Sequence, residues 1–228
     1  MTETHLIVFD VDGTLVDSQH IIVAAMETAF AGLDLPPPPR EEILGIVGLS
    51  LGAAVAALAP GLSQAELDRL ERGYRDEFVA QRVRGGAEAH APLYPGARAA
   101  LERLAADPAV RLGVATGKAR RGLDHVLDSH GLEGFFVTLQ TADDHPSKPH
   151  PSMLETALVE TGLAAGRAVM IGDTEFDILM GKAAGFATIG VAWGYHPRAR
   201  LEAAGADLVI EDFGALDAAL AALRGGRP

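Results

Sequence analysis

The amino-acid sequence predicts an α/β fold: a doubly wound parallel sheet with a helical domain inserted after its first strand. Three observations carry this expectation. Six short apolar runs end at polar residues or glycine, as strands buried on both faces do. Helix-like segments separate most of these runs, the alternation of a parallel sheet. About a hundred residues without a strand signal lie between the first run and the second.

The first run, residues 6–9, ends at Asp10. The next stretch, Ser18 to Arg84, reads as wholly helical. Ser63-Gln64-Ala65-Glu66 has capping-box spacing, and Leu67, Leu70, Tyr74 and Phe78 follow at helical intervals. The prolines at 36–39 force an extended break between helices. Residues 1–17 and 86–228 are therefore the expected α/β core and residues 18–85 a helical insert, joined by linkers at 14–17 and 86–96. Further strands are expected at 110–115, 135–139, 168–171, 187–192 and 206–210. Helices are expected at 96–105, 118–128, 151–161, 175–184 and 198–203.

Composition narrows the function. The chain has 228 residues, 48% hydrophobic and 22% charged, enough to bury a core without covalent staples. It contains no cysteine, which removes disulfide scaffolds, thiolate zinc sites and cysteine nucleophiles. The net charge of −12 repels a phosphate backbone, so no nucleic-acid partner is expected. No signal peptide or membrane span is evident, the alanine- and glycine-rich stretch 47–62 being short and broken by Pro60. A cytoplasmic protein is expected. Lysine occurs only at 118, 148 and 182.

Four polar sites follow the strand ends. Asp10-Val11-Asp12-Gly13-Thr14 places two acids two residues apart before a glycine. By itself it is also a plausible turn, but its glycine position and preceding strand do not suit a calcium loop. Thr116-Gly117-Lys118 offers a hydroxyl and amides at a helix start, or a simple helix cap. Lys148 lies among prolines, in a stiff loop that suits a fixed positive charge. Gly172-Asp173-Thr174-Glu175-Phe176-Asp177 is a capped helix start or a metal carboxylate, Asp173, with Asp177 supporting it. Together the four are stronger than apart, because a parallel sheet brings all its carboxyl ends to one edge, where ligands bind. Converging carboxylates repel one another unless a divalent cation sits among them. All-oxygen ligands, and eight histidines without zinc-site spacing, point to Mg²⁺.

DVDGT, ATGK, SKPHP and GDTEFD, in this order, resemble the haloacid dehalogenase superfamily of phosphohydrolases over nearly the whole chain, and within it most the phosphoglycolate phosphatase group. The resemblance implies that Asp10 attacks phosphorus and becomes an aspartyl phosphate. It implies that Asp12 protonates the leaving group and then activates water. Thr116, Gly117 and Lys148 hold the phosphoryl oxygens. Asp10, the Asp12 carbonyl and Asp173 bind Mg²⁺, and Asp177 supports them. The partner implied is a small phosphorylated metabolite. A sugar phosphomutase of the β-phosphoglucomutase kind and a pyrophosphatase are alternatives on the same motifs. The non-enzyme alternative is a receiver-type signalling module, whose acids and lysine follow a different chain order. Within the insert, residues 45–50 are a candidate substrate loop or simply a glycine break between helices. Arg84 and the nearby His90 are undecided.

Overall fold

The computed structural model describes residues 4–85 and 91–225. Part of the expected second linker, and His90, lie outside the described residues. Six strands form one parallel sheet: β1 (His5–Phe9), β2 (Val110–Thr116), β3 (Thr138–Thr141), β4 (Ala168–Gly172), β5 (Ala187–Val191) and β6 (Leu208–Ile210). Their order is β3-β2-β1-β4-β5-β6, so the chain winds outward from β1 in both directions and reverses there.

Strand β1 shows why its run is apolar throughout. Side chains alternate between faces. Ile7 and Phe9 enter the cluster on one side of the sheet, Leu6 and Val8 the cluster on the other. Helices α5 (Ala97–Ala105), α6 (Arg120–Ser129) and α10 (Leu216–Gly225) supply the first cluster, through Leu101, Leu123 and Leu216 among others. Helices α7 (Ser152–Thr161) and α8 (Glu175–Ala183) supply the second, through Leu154 and Met180. Helix α9 (Arg198–Ala203) packs over β5 and β6.

Among the described residues of the insert, four helices follow β1: α1 (Gln19–Ala31), α2 (Arg40–Gly45), α3 (Leu51–Leu58) and α4 (Gln64–Gly85). They share a separate apolar cluster that includes Met26, Phe30, Ile43, Val55 and Leu70. The chain enters and leaves this insert along paired segments. Val16 bridges Leu93 antiparallel, and the Asp17 and Tyr94 amides donate to the Pro92 and Leu15 carbonyls at 2.8 and 2.9 Å. Among the described residues no helix is long and apolar enough to cross a membrane.

Several boundaries differ from the sequence expectation. Strand β3 lies at Thr138–Thr141 rather than 135–139. Phe135 and Phe136 are apolar because they pack onto the core from the preceding loop. Strand β6 starts at Leu208, two residues later than expected, and α6 starts at Arg120 rather than Lys118. The Ser63 cap is half a capping box: the backbone amide and hydroxyl of Ser63 both donate to Glu66, at 2.8 and 2.6 Å.

Candidate active site

The sheet register sets the site. Phe9 lies opposite Val114 of β2 and Ile171 of β4, so Asp10 emerges level with the ends of both neighbours. The Asp10 amide still donates to the Ile171 carbonyl at 2.9 Å, which holds the residue to the edge. Asp173 leaves the end of β4 beside it. The chain then turns back at Gly13, whose φ of +83° only glycine adopts readily. A β-carbon there would lie 2.2 Å from Asp173 Oδ2, so glycine also makes room for the carboxylate.

Asp10, Asp173 and Asp177 form a buried cluster, with one carboxylate oxygen from each within 4.8 Å of the others. Lys148 lies against it, fully buried, donating to Asp10 Oδ1 at 2.8 Å and Asp177 Oδ1 at 2.6 Å. Asp177 is also locked by Thr174, whose amide and hydroxyl donate to its Oδ2 at 3.1 and 2.7 Å. Asp173 accepts from the Thr14 hydroxyl at 3.1 Å and the Tyr195 amide at 2.8 Å. Asp10 Oδ2 is buried and has no hydrogen-bond partner among the described residues.

The electrostatics follow from this arrangement. Burial pushes the Asp10 carboxyl up to about 7 against the pull of Lys148, with Asp177 and Asp12 acting in the same direction as burial. Burial, then Asp10 and Asp177, raise Asp173 well above the ordinary carboxylate range. Lys148 behaves oppositely. Burial disfavours its charge, but Asp10 and Asp177 more than offset that and hold its pKa above the usual lysine value. Three carboxylates facing one ammonium leave two negative charges when all ionise. The cluster therefore fits a divalent cation, and its hard oxygen donors suit Mg²⁺.

Asp12 stands apart from that cluster. Lys118 donates to both of its oxygens at 2.7 Å, and Ser18 donates to Oδ1. The Ser18 hydroxyl lies 3.0 Å from the Tyr195 hydroxyl. The lysine count singled out Lys118, but nothing local in the sequence assigned it to Asp12. Ser18, Thr14 and Tyr195 were likewise missed as site residues, because partners up to 177 positions apart meet only in the fold.

Asp10, Asp12, Thr116, Gly117 and Lys118 line the core side of a cavity of about 480 Å³, and residues of the insert line its other side. Thr116 is buried and accepts from the Lys118 amide at 3.3 Å. Lys148, Asp173 and Asp177 lie behind this wall rather than on it. The loop at 45–50 touches the core at three points. A β-carbon on Gly117 would lie 2.5 Å from the Leu49 carbonyl oxygen and 2.6 Å from that of Gly48. The Ser50 amide donates to Ser147 Oγ at 2.8 Å, and His196 Nε2 lies 3.1 Å from the Gly45 carbonyl.

The model of the haloacid dehalogenase-like hydrolase family matches residues 7–191. The chain belongs to this family. Among relatives of this haloacid dehalogenase-like hydrolase, the probable phosphatase IndB of Dickeya dadantii is 36% identical, over 91% of this chain and 90% of its own. A phosphoglycolate phosphatase of Pseudomonas putida is 31% identical, over 94% of this chain and 79% of its own. A haloacid dehalogenase-like family hydrolase from Streptococcus pneumoniae superposes with a TM-score of 0.82 at 28% identity, covering 96% of this chain and 99% of that one. Family membership sets aside the receiver-type alternative.

Proposed function

We propose that this haloacid dehalogenase-like hydrolase is a phosphatase that cleaves a small organic phosphate monoester through an aspartyl phosphate on Asp10. One observation carries the reading. Lys148 fixes one oxygen of the Asp10 carboxylate and leaves the other buried and without a partner among the described residues, on a residue that borders the cavity. An oriented, weakly solvated carboxylate oxygen is what a covalent step at phosphorus needs. The relatives named as phosphatases support the substrate class.

In the first step Asp10 Oδ2 bonds to phosphorus, the bond to the ester oxygen breaks, and Asp12 delivers a proton to the departing alkoxide. In the second, Asp12 removes a proton from water, the water oxygen bonds to phosphorus, and Asp10 leaves as a carboxylate. Inorganic phosphate and an alcohol result. Thr116 and the Gly117 amide border the space for the phosphoryl oxygens. Lys118 and Ser18 hold the Asp12 carboxylate on the same wall. Lys148 fixes the attacking residue and offsets the repulsion between carboxylate and phosphate. Mg²⁺, held by Asp10, Asp173 and the Asp12 carbonyl with Asp177 in support, would supply charge neutralisation at the phosphoryl group.

Residues 18–85 act as a lid on the core formed by 1–17 and 86–228, with the paired segments around Val16 and Leu93 as the hinge. Closure admits small substrates and excludes water. Asp10→Asn keeps the shape and removes the nucleophile. Turnover of p-nitrophenyl phosphate in Mg²⁺ should fall by roughly three orders of magnitude or more. A variant that kept a tenth of wild-type turnover would overturn the assignment.

A further inference from the structure

The cavity wall opposite the nucleophile carries chemistry that the phosphatase reading does not use. The insert presents Ile22, Met26, Val47, Leu51, Tyr74 and Phe78 to the space above Asp10 and Asp12. Tyr74 and Phe78 stack at 5.7 Å, giving a flat aromatic patch. Three cations also line the cavity, each of them engaged or exposed. Lys118 is held by Asp12 and lies 5.1 Å from the centre of the Phe78 ring. Arg75 is largely exposed and paired with Glu71 at 2.5 Å, and Arg121 is exposed on the core side of the mouth.

A leaving group that carries a carboxylate, as glycolate does, would find Lys118 and Arg75 engaged and Arg121 exposed, where solvent screens an ion pair to about 1 kcal/mol or less. It would either lose hydration against Ile22, Met26 and Phe78 or draw Lys118 away from Asp12, and both cost free energy. A neutral organic group would instead bury apolar surface there. The space, about 480 Å³, lies in the range of pockets that enclose ligands much larger than glycolate.

The geometry points to an uncharged leaving group with an apolar body, larger than glycolate, lodged against the Tyr74–Phe78 face of the insert. This inference rests on the phosphatase reading and names the substrate class for it. The phosphate faces Asp10 and Thr116, and the alcohol portion extends between the core edge and the aromatic patch.

The test is a set of monoesters of simple alcohols, whose leaving groups differ little in acidity: ethyl, butyl, hexyl and 2-phenylethyl phosphate, beside phosphoglycolate and glycerol 3-phosphate. With the full chain in Mg²⁺, kcat/KM should rise roughly two- to fourfold per added methylene from ethyl to hexyl. Phosphoglycolate should fall below butyl phosphate. Phe78→Ala should reduce the hexyl-to-ethyl ratio at least threefold, with circular dichroism confirming the fold. Should that variant fail to fold, Tyr74→Leu, which keeps an apolar wall but removes the aromatic face, should reduce the ratio of 2-phenylethyl to hexyl phosphate at least twofold. A flat alkyl series, or phosphoglycolate tenfold above every neutral ester, would overturn this inference while leaving the phosphatase reading intact. Absence of turnover for every ester, p-nitrophenyl phosphate included, would overturn the phosphatase reading itself.

Discussion

Lys148→Met removes the one ammonium that touches both Asp10 and Asp177 and leaves an apolar stem of similar size in its place. Its cost follows from the buried carboxylates left behind. Without a cation, one more of them must stay ionised in a dry site or take up a proton. Keeping one carboxyl protonated at pH 7, against its ordinary value of 3.8, costs about 4 kcal/mol, and at pH 5 about 2 kcal/mol. The first figure agrees with the roughly 3–5 kcal/mol seen when one partner of a buried ion pair is removed. The sign is fixed by linkage. A carboxyl whose folded pKa is raised holds a proton that the unfolded chain has released, so stability is full below pH 3.8 and is lost as pH rises. Urea unfolding of wild type and variant, in chelator, should therefore show a stability gap that shrinks as pH falls from 7 to 5. At pH 7 the gap should lower the melting temperature by about 8–16 °C. A loss under about 1 kcal/mol at pH 7, or one that does not shrink toward pH 5, would refute the view that Lys148 compensates this cluster.

Activity should vanish in chelator and return with Mg²⁺, and Asp173→Ala should raise the Mg²⁺ concentration for half-maximal rate by roughly tenfold or more, read from a metal titration. His196 accepts from the Glu175 amide through Nδ1 and faces the Gly45 carbonyl through Nε2, and burial, then Arg200, hold its pKa below the ordinary 6.5. Its contribution is present above pH 6.5 and lost as pH falls below it, so the stability gap between wild type and His196→Leu should narrow on acidification. Gly117→Ala places a methyl 2.5 Å from the Leu49 carbonyl oxygen and should displace the loop at 45–50. Steady-state kinetics should show kcat/KM lowered by about tenfold or more, and an unchanged value would mean that the loop contact does not matter.

Much of the core site was legible because a buried parallel strand is a short apolar run and its carboxyl end is where that run stops. Asp10, Thr116 and Asp173 could be placed that way, and the parallel sheet brings their strand ends to one edge. The local rule failed where burial and backbone pairing part company. Phe135 and Phe136 are apolar yet lie in a loop, since hydrophobicity reports contact with a core and not membership of a sheet. The half-formed box at Ser63 shows a similar limit, because spacing permits the reciprocal bonds without choosing between them.

The sequence by itself determined the alternation of strands and helices, the long helical interval after β1 and the acids and hydroxyls at the strand ends. These are properties of neighbours along the chain, governed by side-chain period and turn chemistry. Only the tertiary structure decided which charges meet. It put Lys148 behind Asp10 rather than on the cavity wall, gave Lys118 to Asp12, and seated the insert's glycine loop on Gly117. It also decided that the wall above Asp10 and Asp12 is largely aromatic and aliphatic. The two lysine contacts join residues more than a hundred positions apart. Their geometry comes from sheet register and packing against a shared core, which no local pattern encodes.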